Sequence, residues 1–434
     1  MRLLIQGVLS AVLLVGPLSA AQRFIVQVVG GLPPLNTACV AFGCDVVEDL
    51  GAPNDQFFLI TIPDGRAVAP FVQELSQVPG VVDLEPDLIV SLSQSGPTAP
   101  AALYDTRLVP YFGVDVRHGY VAQPAAKIVS IHKTQHELDV AGRGTVAIID
   151  TGVDPTHPVL QNVLVPGYDF TRNEQGYGSE DADLNQSTVA VVDGDGPADV
   201  NGSTVATVGQ SNASQLNTPQ YADFGHGTMV AGVVHLVAPK AMIMALKAFQ
   251  ADGSGYLSDI VRALYWAANH NARVVNMSFS MAQRSTALNV AIDYVTTVGL
   301  ICVASVGNQG IETTVYPAAF KDVMGVASTS NNDVRSTFSN YGTPLVWVAA
   351  PGEGIITIYP FGAYAAAWGT SFSAPFVTGT VALLLDVSWN MGYSEAAQAI
   401  AQAKPIDDPT LGHGLLDIDL AVQAAKSPQF ALSY

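Results

Sequence analysis

A serine at the start of a predicted helix has the surroundings of a nucleophile. Ser371 lies in the string GTSFSAPFVTGTVALLL, residues 369–385, between a glycine-containing loop and a long apolar run typical of a buried helix. A serine hydroxyl is a poor nucleophile without a general base, and that base needs an acid to orient it. The string therefore predicts that an imidazole and a carboxylate occur elsewhere in the chain.

The chain supplies both partners. Asp150 follows the apolar run 146–149, which is expected of a strand buried on both faces, and a carboxylate there can accept a hydrogen bond from an imidazole. In the string HGTMVAGVVHLVAP, His226 begins a helix that is predicted to reach about Val237. The order Asp150, His226, Ser371 separates one class of Ser-His-Asp hydrolases from two others.

A side-chain amide follows a second buried strand. The apolar run 300–306 leads through Gly307 to Asn308, whose amide could donate to an oxygen that becomes negatively charged. Taken singly, a buried aspartate, a histidine or a Gly-Asn pair is more often structural than catalytic. Their joint occurrence in one order favours catalysis, and the remaining alternative is a protein that kept this fold but lost activity.

The motifs DTGVD, HGTMVAG, GN and GTSFSAP, in this order, resemble those of the subtilisin-like serine proteases, the subtilase family, over about residues 140–425. The resemblance implies an α/β fold with a doubly wound, mainly parallel sheet and a cleft at the carboxyl ends of its strands. It also implies that Asp150 orients His226, that His226 is general base and acid, and that Ser371 is the nucleophile. Asn308 and the backbone N–H of Ser371 would stabilise the oxyanion, and no cofactor is required.

Composition and length agree with a large folded protein. The chain has 434 residues, of which 49% are hydrophobic and 13% charged, so it can form a large core divided into two or three units. A net charge of −19 argues against nucleic acid as a partner and favours a soluble monomer. No run beyond residue 20 is long and apolar enough to span a membrane. We expect polypeptide substrates and no membrane partner.

Residues 1–20 have the pattern of a secretory signal peptide. Arg2 is followed by the apolar run 3–15 and by a small-residue cleavage site at 18–20. This pattern predicts an extracellular or periplasmic protein. The alternative is a buried strand or helix of the fold.

Residues 22–95 form a separate predicted unit. The strings RFIVQVV, QFFLITI and VVDLEPDLIVSL predict strands, and VAPFVQELSQVPG has apolar residues at helical spacing. These elements suggest a small ferredoxin-like α+β domain. By resemblance it would be a propeptide that assists folding, inhibits the enzyme with its C-terminal tail and is cut in cis.

Residues 96–110 read as the linker after this unit, and residues 111–434 as the catalytic domain. We expect the maturation cut between about Leu92 and Arg107. The alternative is a permanent accessory domain at the N-terminus.

Cysteines are few. Cys39 and Cys44 are close enough in sequence for a local bridge in an oxidising compartment. Cys302 lies in an apolar predicted strand, so we expect a buried, inert thiol.

An acidic insertion is predicted at about 171–223, between the motifs of Asp150 and His226. Its carboxylates could ligate calcium, but a solvated acidic loop is favoured because no bidentate glutamate has the required spacing. The carboxylates in question are Asp181, Asp183, Asp193, Asp195 and Asp199. Val159 stands where many relatives have an aspartate ligand, which puts that family site in doubt. A structural calcium ion stays an open alternative.

Two stretches are candidates for substrate binding. By resemblance, a glycine-rich turn and the end of a strand would flank the substrate backbone, and two further residues would lie beside the specificity pocket. The candidates are Gly253, Ser254 and Gly255 in the turn, Ser278, Phe279 and Ser280 at the strand end, and Val315 and Ala318 at the pocket. Ser280 and Val315 replace residues that are commonly glycine, so we expect a preference for small or medium uncharged side chains.

Overall fold

The computed structural model describes residues 22–53, 56–63, 65–92, 100–184, 197–199, 204–208, 216 and 218–427, with the backbone alone for 197–199 and 204–208. The predicted signal peptide, the first part of the predicted linker, and Asp193 and Asp195 lie outside these residues.

Residues 22–92 form an N-terminal module. Its elements are β1 (Gln22–Val28), α1 (Leu32–Phe42), β2 (Asp45–Asp49), β3 (Phe57–Ile62), α2 (Val68–Leu75), β4 (Val81–Pro86) and β5 (Ile89–Ser91). Strands β1 to β4 form one sheet in the order β2-β3-β1-β4, and every pair is antiparallel. The sequence had not indicated α1 or β2, because α1 opens with two prolines and β2 is short and acidic.

Both faces of this sheet are covered, as the continuous apolar runs of β1 and β3 require. Phe24, Val26 and Phe58 point to the side of α1 and α2 and pack with Phe71 of α2. The intervening side chains of β1 and β3 point the opposite way, and Ile25 shares a hydrophobic cluster with the rest of the chain. The module is therefore docked through one whole face of its sheet.

The remaining elements form an α/β domain. Its strands are β6 (Leu108–Tyr111), β7 (Val114–Arg117), β8 (Thr145–Asp150), β9 (Leu164–Asp169), β10 (Glu174–Gly176), β11 (Pro197–Asp199), β12 (Thr204–Val208), β13 (Met242–Lys247), β14 (Ser254–Tyr256), β15 (Ala272–Met277), β16 (Ile301–Ser305), β17 (Val323–Thr329), β18 (Val348–Pro351), β19 (Ile355–Tyr359) and β20 (Ala363–Ala367). Its α-helices are α3 (His118–Val121), α4 (Pro124–Ile128), α5 (Ile131–Glu137), α6 (His226–Val237), α7 (Leu257–Asn269), α8 (Thr286–Thr297), α9 (Thr370–Val387), α10 (Tyr393–Ile400) and α11 (Ile418–Lys426).

An eight-stranded sheet organises this domain, in the order β10-β9-β13-β8-β15-β16-β17-β18. All pairs are parallel except β10 with β9, which confirms the predicted mainly parallel α/β sheet. Successive residues of β8 face opposite sides, since Val146 and Ile148 belong to one hydrophobic cluster and Ala147 and Ile149 to the other. Helices α6 and α9 cover the first side, and α7 and α8 cover the second.

Helix α9 is the central helix of the domain. Every residue from Thr370 to Leu385 is buried, because the helix packs between α6 and the sheet. By length and composition it is, among the described residues, the one helix that could cross a membrane, so the prediction that no such run follows residue 20 is wrong for α9. Inside the protein, 89% of this apolar window is buried.

Two predicted segments, the linker and the acidic insertion, contain ordered structure. The described part of the linker is packed rather than extended: it contains a 3₁₀ helix at Ala101–Tyr104, and Leu103 is in the hydrophobic core. The insertion at 171–223 is also partly ordered. It contributes β10 to the large sheet, and β11 and β12 to a smaller sheet ordered β11-β12-β20-β19.

Candidate active site

The four residues predicted to carry the chemistry come from four different elements at one edge of the sheet. Asp150 is the last residue of β8, His226 the first of α6, and Ser371 the second of α9. Asn308 follows β16, two strands away from β8. Because parallel strands end at the same edge, their carboxyl ends bring these loops together.

The glycines beside the acid and the base are required by close backbone contact. A Cβ on Gly227, next to His226, would lie 2.0 Å from the carbonyl oxygen of Gly152. Gly152 itself has φ +104°, and a Cβ there would lie 2.3 Å from the carbonyl oxygen of Gly178. These two glycines therefore allow the loop after β8 and the start of α6 to touch.

The acid and base form a short hydrogen bond. Nδ1 of His226 is 2.7 Å from Oδ1 of Asp150, which also accepts from the N–H of Thr151 at 2.7 Å. Burial alone lowers the pKa of His226. The Asp150 carboxylate, by charge and hydrogen bond, and the charges of Asp223 and Glu180 outweigh burial and raise that pKa above its ordinary value. Asp150 therefore stabilises the protonated imidazole.

The imidazole of His226 lies beside the first turn of α9. Among the described residues its Nε2 is buried without a hydrogen-bond partner, and the imidazole ring lies 5.4 Å from the ring of Phe372, the neighbour of Ser371. The Ser371 hydroxyl donates to the carbonyl oxygen of Ser278 at 3.1 Å.

A proline inside α9 explains part of this geometry. Pro375 has no N–H, so it cannot donate to the carbonyl oxygen of Ser371 four residues earlier. That oxygen instead accepts from the hydroxyl of Ser278 at 2.8 Å, and the same hydroxyl accepts from Nδ2 of Asn276 at 2.8 Å. Ser278 and Ser371 thus exchange two hydrogen bonds, which fix the first turn of α9 against the end of β15.

The Asn308 amide is also oriented by α9. Its Oδ1 accepts from both the N–H and the hydroxyl of Thr370, each at 2.9 Å. Two donors on one oxygen define which way the amide is turned, so Nδ2 lies on the side away from Thr370. The N–H of Ser371 belongs to the first turn of α9, whose N–H groups have no acceptor within the helix.

A cavity of about 40 Å³ lies beside the serine. It is lined by Ser371, Asn308 and the predicted substrate residues Ser278, Phe279 and Ser280, together with Leu92 of the N-terminal module. With the module docked, Ser371 is only 3% exposed.

The other predicted substrate residues are divided between two places. Ser254 and Gly255 lie in β14 and pair antiparallel with Ser91 and Val90 of β5, so the predicted turn is in fact a short strand. Gly253 accepts a hydrogen bond from the N–H of Leu92 at 2.9 Å. Val315 and Ala318 do not line the cavity; they are buried in the hydrophobic cluster that contains Phe279.

The acidic insertion was predicted as a solvated loop, and this is wrong for its described turn at Glu180–Asp183. Glu180 is 1% exposed, and Asp183 pairs with the buried Lys247 at 2.7 Å and with Arg172. Burial raises the pKa of Glu180 to about 8, against the hydroxyls of Thr151 and Thr228 and the charge of Lys247. The sequence missed Glu180 because its partners are distant in the chain.

The oxygens of Asp183 and Asp154 already have partners and do not fit a calcium ion. Both oxygens of Asp183 are engaged by cations, and those of Asp154 accept from Thr156 and from the N–H of Phe361. Within the described ranges there is no group of three His, Cys, Asp or Glu side chains that could hold a metal.

The three cysteines are far from the cavity lining. Cys39 and Cys44 form a disulfide in the module. Cys302 is buried in β16, and burial raises its thiol pKa well above the ordinary value, as expected of an unreactive cysteine.

Comparison with known proteins identifies the class. A profile of the subtilase family matches residues 142–416, which is more than half of the chain. The thermophilic serine proteinase of Bacillus sp. strain AK1 is 35% identical over 257 residues, or 59% of this chain and 55% of that protein. Thermitase of Thermoactinomyces vulgaris is 32% identical over 249 residues, or 55% of this chain and 74% of thermitase. The chain therefore belongs to the subtilase family, the subtilisin-like serine proteases.

The fold comparison reaches further along the chain. The crystal structure of fervidolysin from Fervidobacterium pennivorans, a keratinolytic enzyme related to subtilisin, matches with a TM-score of 0.71 at 21% identity. The match covers 94% of this chain, so it extends into the N-terminal module, and 62% of the fervidolysin chain. The chain spans only 55% of the length of the Bacillus proteinase, so its likeness to that proteinase concerns the shared domain.

Proposed function

We propose that this protein is a secreted serine endopeptidase made as a zymogen, with residues 1–20 as signal peptide and residues 22–95 as an inhibitory propeptide. The proposal rests mainly on one observation: Ser371 and the oriented amide of Asn308 line a cavity that Leu92 of the N-terminal module also lines. The ring of His226, which is hydrogen-bonded to Asp150, lies 5.4 Å from the ring of Phe372, the residue after Ser371. A nucleophile, its base and an oxyanion donor are thus beside a segment of peptide chain.

In the proposed reaction, the Ser371 hydroxyl turns from Ser278 to His226. Nε2 of His226 takes the proton as Oγ attacks the carbonyl carbon of the scissile bond, while Asp150 holds the proton on Nδ1. Nδ2 of Asn308 and the N–H of Ser371 donate to the oxyanion. His226 then gives its proton to the leaving amine. A water, deprotonated by His226, attacks the acyl-enzyme and releases the carboxylate product. No cofactor takes part.

The inhibitor role of the module is supported by two helix caps that cross to the catalytic domain. Glu85 accepts from the hydroxyl of Ser285 at 2.7 Å and from the N–H groups of Thr286 and Ala287 at the start of α8. Asp87 accepts from the N–H and the hydroxyl of Ser258, each at 2.9 Å, at the start of α7. Helix N-termini carry partial positive charge, so each carboxylate stabilises docking.

The tail of the module is bound as a substrate would be. β5 adds a strand to β14, a binding mode that uses main-chain hydrogen bonds and tolerates many sequences. The strand order of the module and its β-α-β-β-α-β succession of elements support a ferredoxin-like propeptide fold. Because Leu92 lies beside Ser371, we propose that maturation cuts shortly after Leu92, within the expected 92–107 range.

Substrate choice and location are inferred from fewer contacts. Ser280 lines the cavity beside Ser371, where its side chain takes space that a glycine would leave open, and this supports a preference for small or medium uncharged side chains. The Cys39–Cys44 disulfide supports an oxidising compartment and hence secretion. We propose polypeptides as substrates and a monomeric enzyme without nucleic acid or membrane partners.

Self-processing tests the proposal. The full-length chain is expected to convert itself to a shorter form whose new N-terminus follows Leu92 closely, and to react with a fluorophosphonate at Ser371. Ser371→Ala should stay uncut, with an unchanged circular dichroism spectrum. A folded wild-type chain that stays full length and does not react with the probe would instead support the second candidate, an inactive peptide-binding subtilase.

A further inference from the structure

One buried carboxylate next to the proposed active site has no part in the mechanism above. Glu180 opens the 3₁₀ turn Glu180–Asp183 within the insertion, and it is 1% exposed. A carboxylate is rarely buried so completely unless donors surround it. Its donors identify what it holds together.

All its described donors come from the residues that follow the acid and the base. Oε1 accepts from the hydroxyl of Thr151 at 2.5 Å and from the N–H of Gly227 at 3.2 Å. Oε2 accepts from the hydroxyl of Thr228 at 2.6 Å. Thr151 follows Asp150, and Gly227 and Thr228 follow His226, so one carboxylate joins the end of β8 to the first turn of α6.

The direction of these hydrogen bonds is set by the backbone. The Thr151 hydroxyl accepts from the N–H of Gly227 at 3.0 Å, and the Thr228 hydroxyl accepts from the N–H of Asp154 at 2.7 Å. Each hydroxyl therefore has its proton available for Glu180. Burial raises the pKa of Glu180 to about 8, which favours the neutral form. All described partners of Glu180 donate to it, however, and a group that receives only donors is best matched by an ionised carboxylate, so we infer the ionised form.

A buried lysine holds the same loop from the other side. Nζ of Lys247 donates to the carbonyl oxygens of Thr151 and Phe249 and to Asp183, each at 2.7 Å. Lys247 is in register with Asp150 on the neighbouring strand. Asp183 ends the turn that Glu180 begins, so Lys247 anchors this turn and the Asp150 loop together.

We propose that Glu180 is a positioning residue that sets the distance and alignment of Asp150 and His226. It contacts neither the substrate nor the reacting atoms. It fixes the two elements whose termini the Asp150–His226 hydrogen bond must span, and its negative charge adds to that of Asp150. The inference rests on the proposed peptidase function and concerns the same site.

The charge of Glu180 gives this role a measurable signature. It is among the charges that raise the pKa of His226, after those of Asp150 and Asp223. The charged and titratable groups of this region, including the Asp150–His226 pair itself, are Asp150, Asp154, Glu180, Asp181, Asp183, Asp223, His226 and Lys247. Replacement of Glu180 by a neutral group should therefore lower the pKa of His226 and move the acid limb of activity to lower pH.

Glu180→Gln tests the proposal, because glutamine keeps the size but has one acceptor oxygen and no charge. We expect kcat to fall about tenfold, from misalignment of the pair, with KM within about twofold. The acid limb of the kcat/KM profile should move to lower pH. Asp417→Asn is the matched control. Asp417 is another buried carboxylate, which caps α11 through the N–H groups of Asp419 and Leu420, so it should lose stability without a change of pH profile.

A second pair of variants keeps the test decisive if Glu180→Gln does not fold. Thr228→Val removes one donor to Glu180, whereas Thr228→Ser retains it, so kcat should fall with valine and recover with serine. Folded Glu180→Gln with the kcat and acid limb of wild type would overturn the inference. If wild type and Asp417→Asn fail to react with a fluorophosphonate, the peptidase proposal fails instead.

Discussion

The docking of the N-terminal module can be tested at a single carboxylate. Asp87 makes two hydrogen bonds to Ser258 at the start of α7 and one to Arg23 of its own module, at 2.7 Å. Its side chain is fully buried in the docked state, whereas that of Arg23 is 27% exposed. Asp87→Ala removes the carboxylate and leaves the N-terminus of α7 without this cap.

The size of the effect follows from the two bonds that cross to the catalytic domain. Hydrogen bonds to a charged group contribute about 1.5–3 kcal/mol each, but part of this is regained when water reaches Ser258. We therefore expect a loss of about 3 kcal/mol in docking free energy, which corresponds to an inhibition constant about 10²-fold higher.

The assay uses mature enzyme and separately prepared residues 22–92, with inhibition of peptide hydrolysis as the readout. Asp45→Ala is the control, because Asp45 is an exposed carboxylate on β2 of the same module. It should leave the inhibition constant within about twofold, as is usual for surface substitutions. Circular dichroism must show both variants equally folded. A rise below threefold for Asp87→Ala would refute the argument that this cap holds the module in place.

Three further predictions concern the active site. The kcat/KM should rise with pH through a pKa above the ordinary 6.5 of histidine, because His226 must be neutral to act as base and its pKa is raised. Activity should be lost as the pH falls through that pKa, and an acid limb below 6.5 would contradict this prediction. Thr370→Val, which removes one of the two hydrogen bonds to Asn308, should lower kcat about 3- to 10-fold at unchanged KM, and Thr370→Ser should restore it. Gly227→Ala should reduce kcat at least about 10²-fold and lower the melting temperature, because the added Cβ would lie 2.0 Å from the carbonyl oxygen of Gly152. Kinetics like those of wild type would show that the loop after β8 and the start of α6 can separate.

The residues proposed to react could be predicted from the sequence because each belongs to a local pattern. A buried strand that ends at Asp150, a helix that begins at His226 and another that begins near Ser371 are each encoded within about ten residues of sequence. The structure has the first helix at His226–Val237, as predicted. Parallel strands then bring these termini to one edge, which made the site predictable in outline.

The environment of a residue that depends on distant partners could not be predicted in this way. Aspartates in a polar segment indicated a solvated loop, yet Glu180 in that segment is held by Thr228, 48 residues later. The predicted turn at Gly253 continues into a strand because β5 of the module, far earlier in the chain, supplies its pairing partner. Neither outcome is encoded in the local pattern.

The sequence by itself determined the proposed chemistry of this protein: which side chains would react, in which order they occur, and on which kinds of element they lie. Only the tertiary structure decided how the pair Asp150–His226 is supported and how the module docks. The physical reason is that a strand or a helix start follows from residue types over a few neighbours. A buried carboxylate such as Glu180, Glu85 or Asp87 depends instead on donors that reach it only when remote segments pack together.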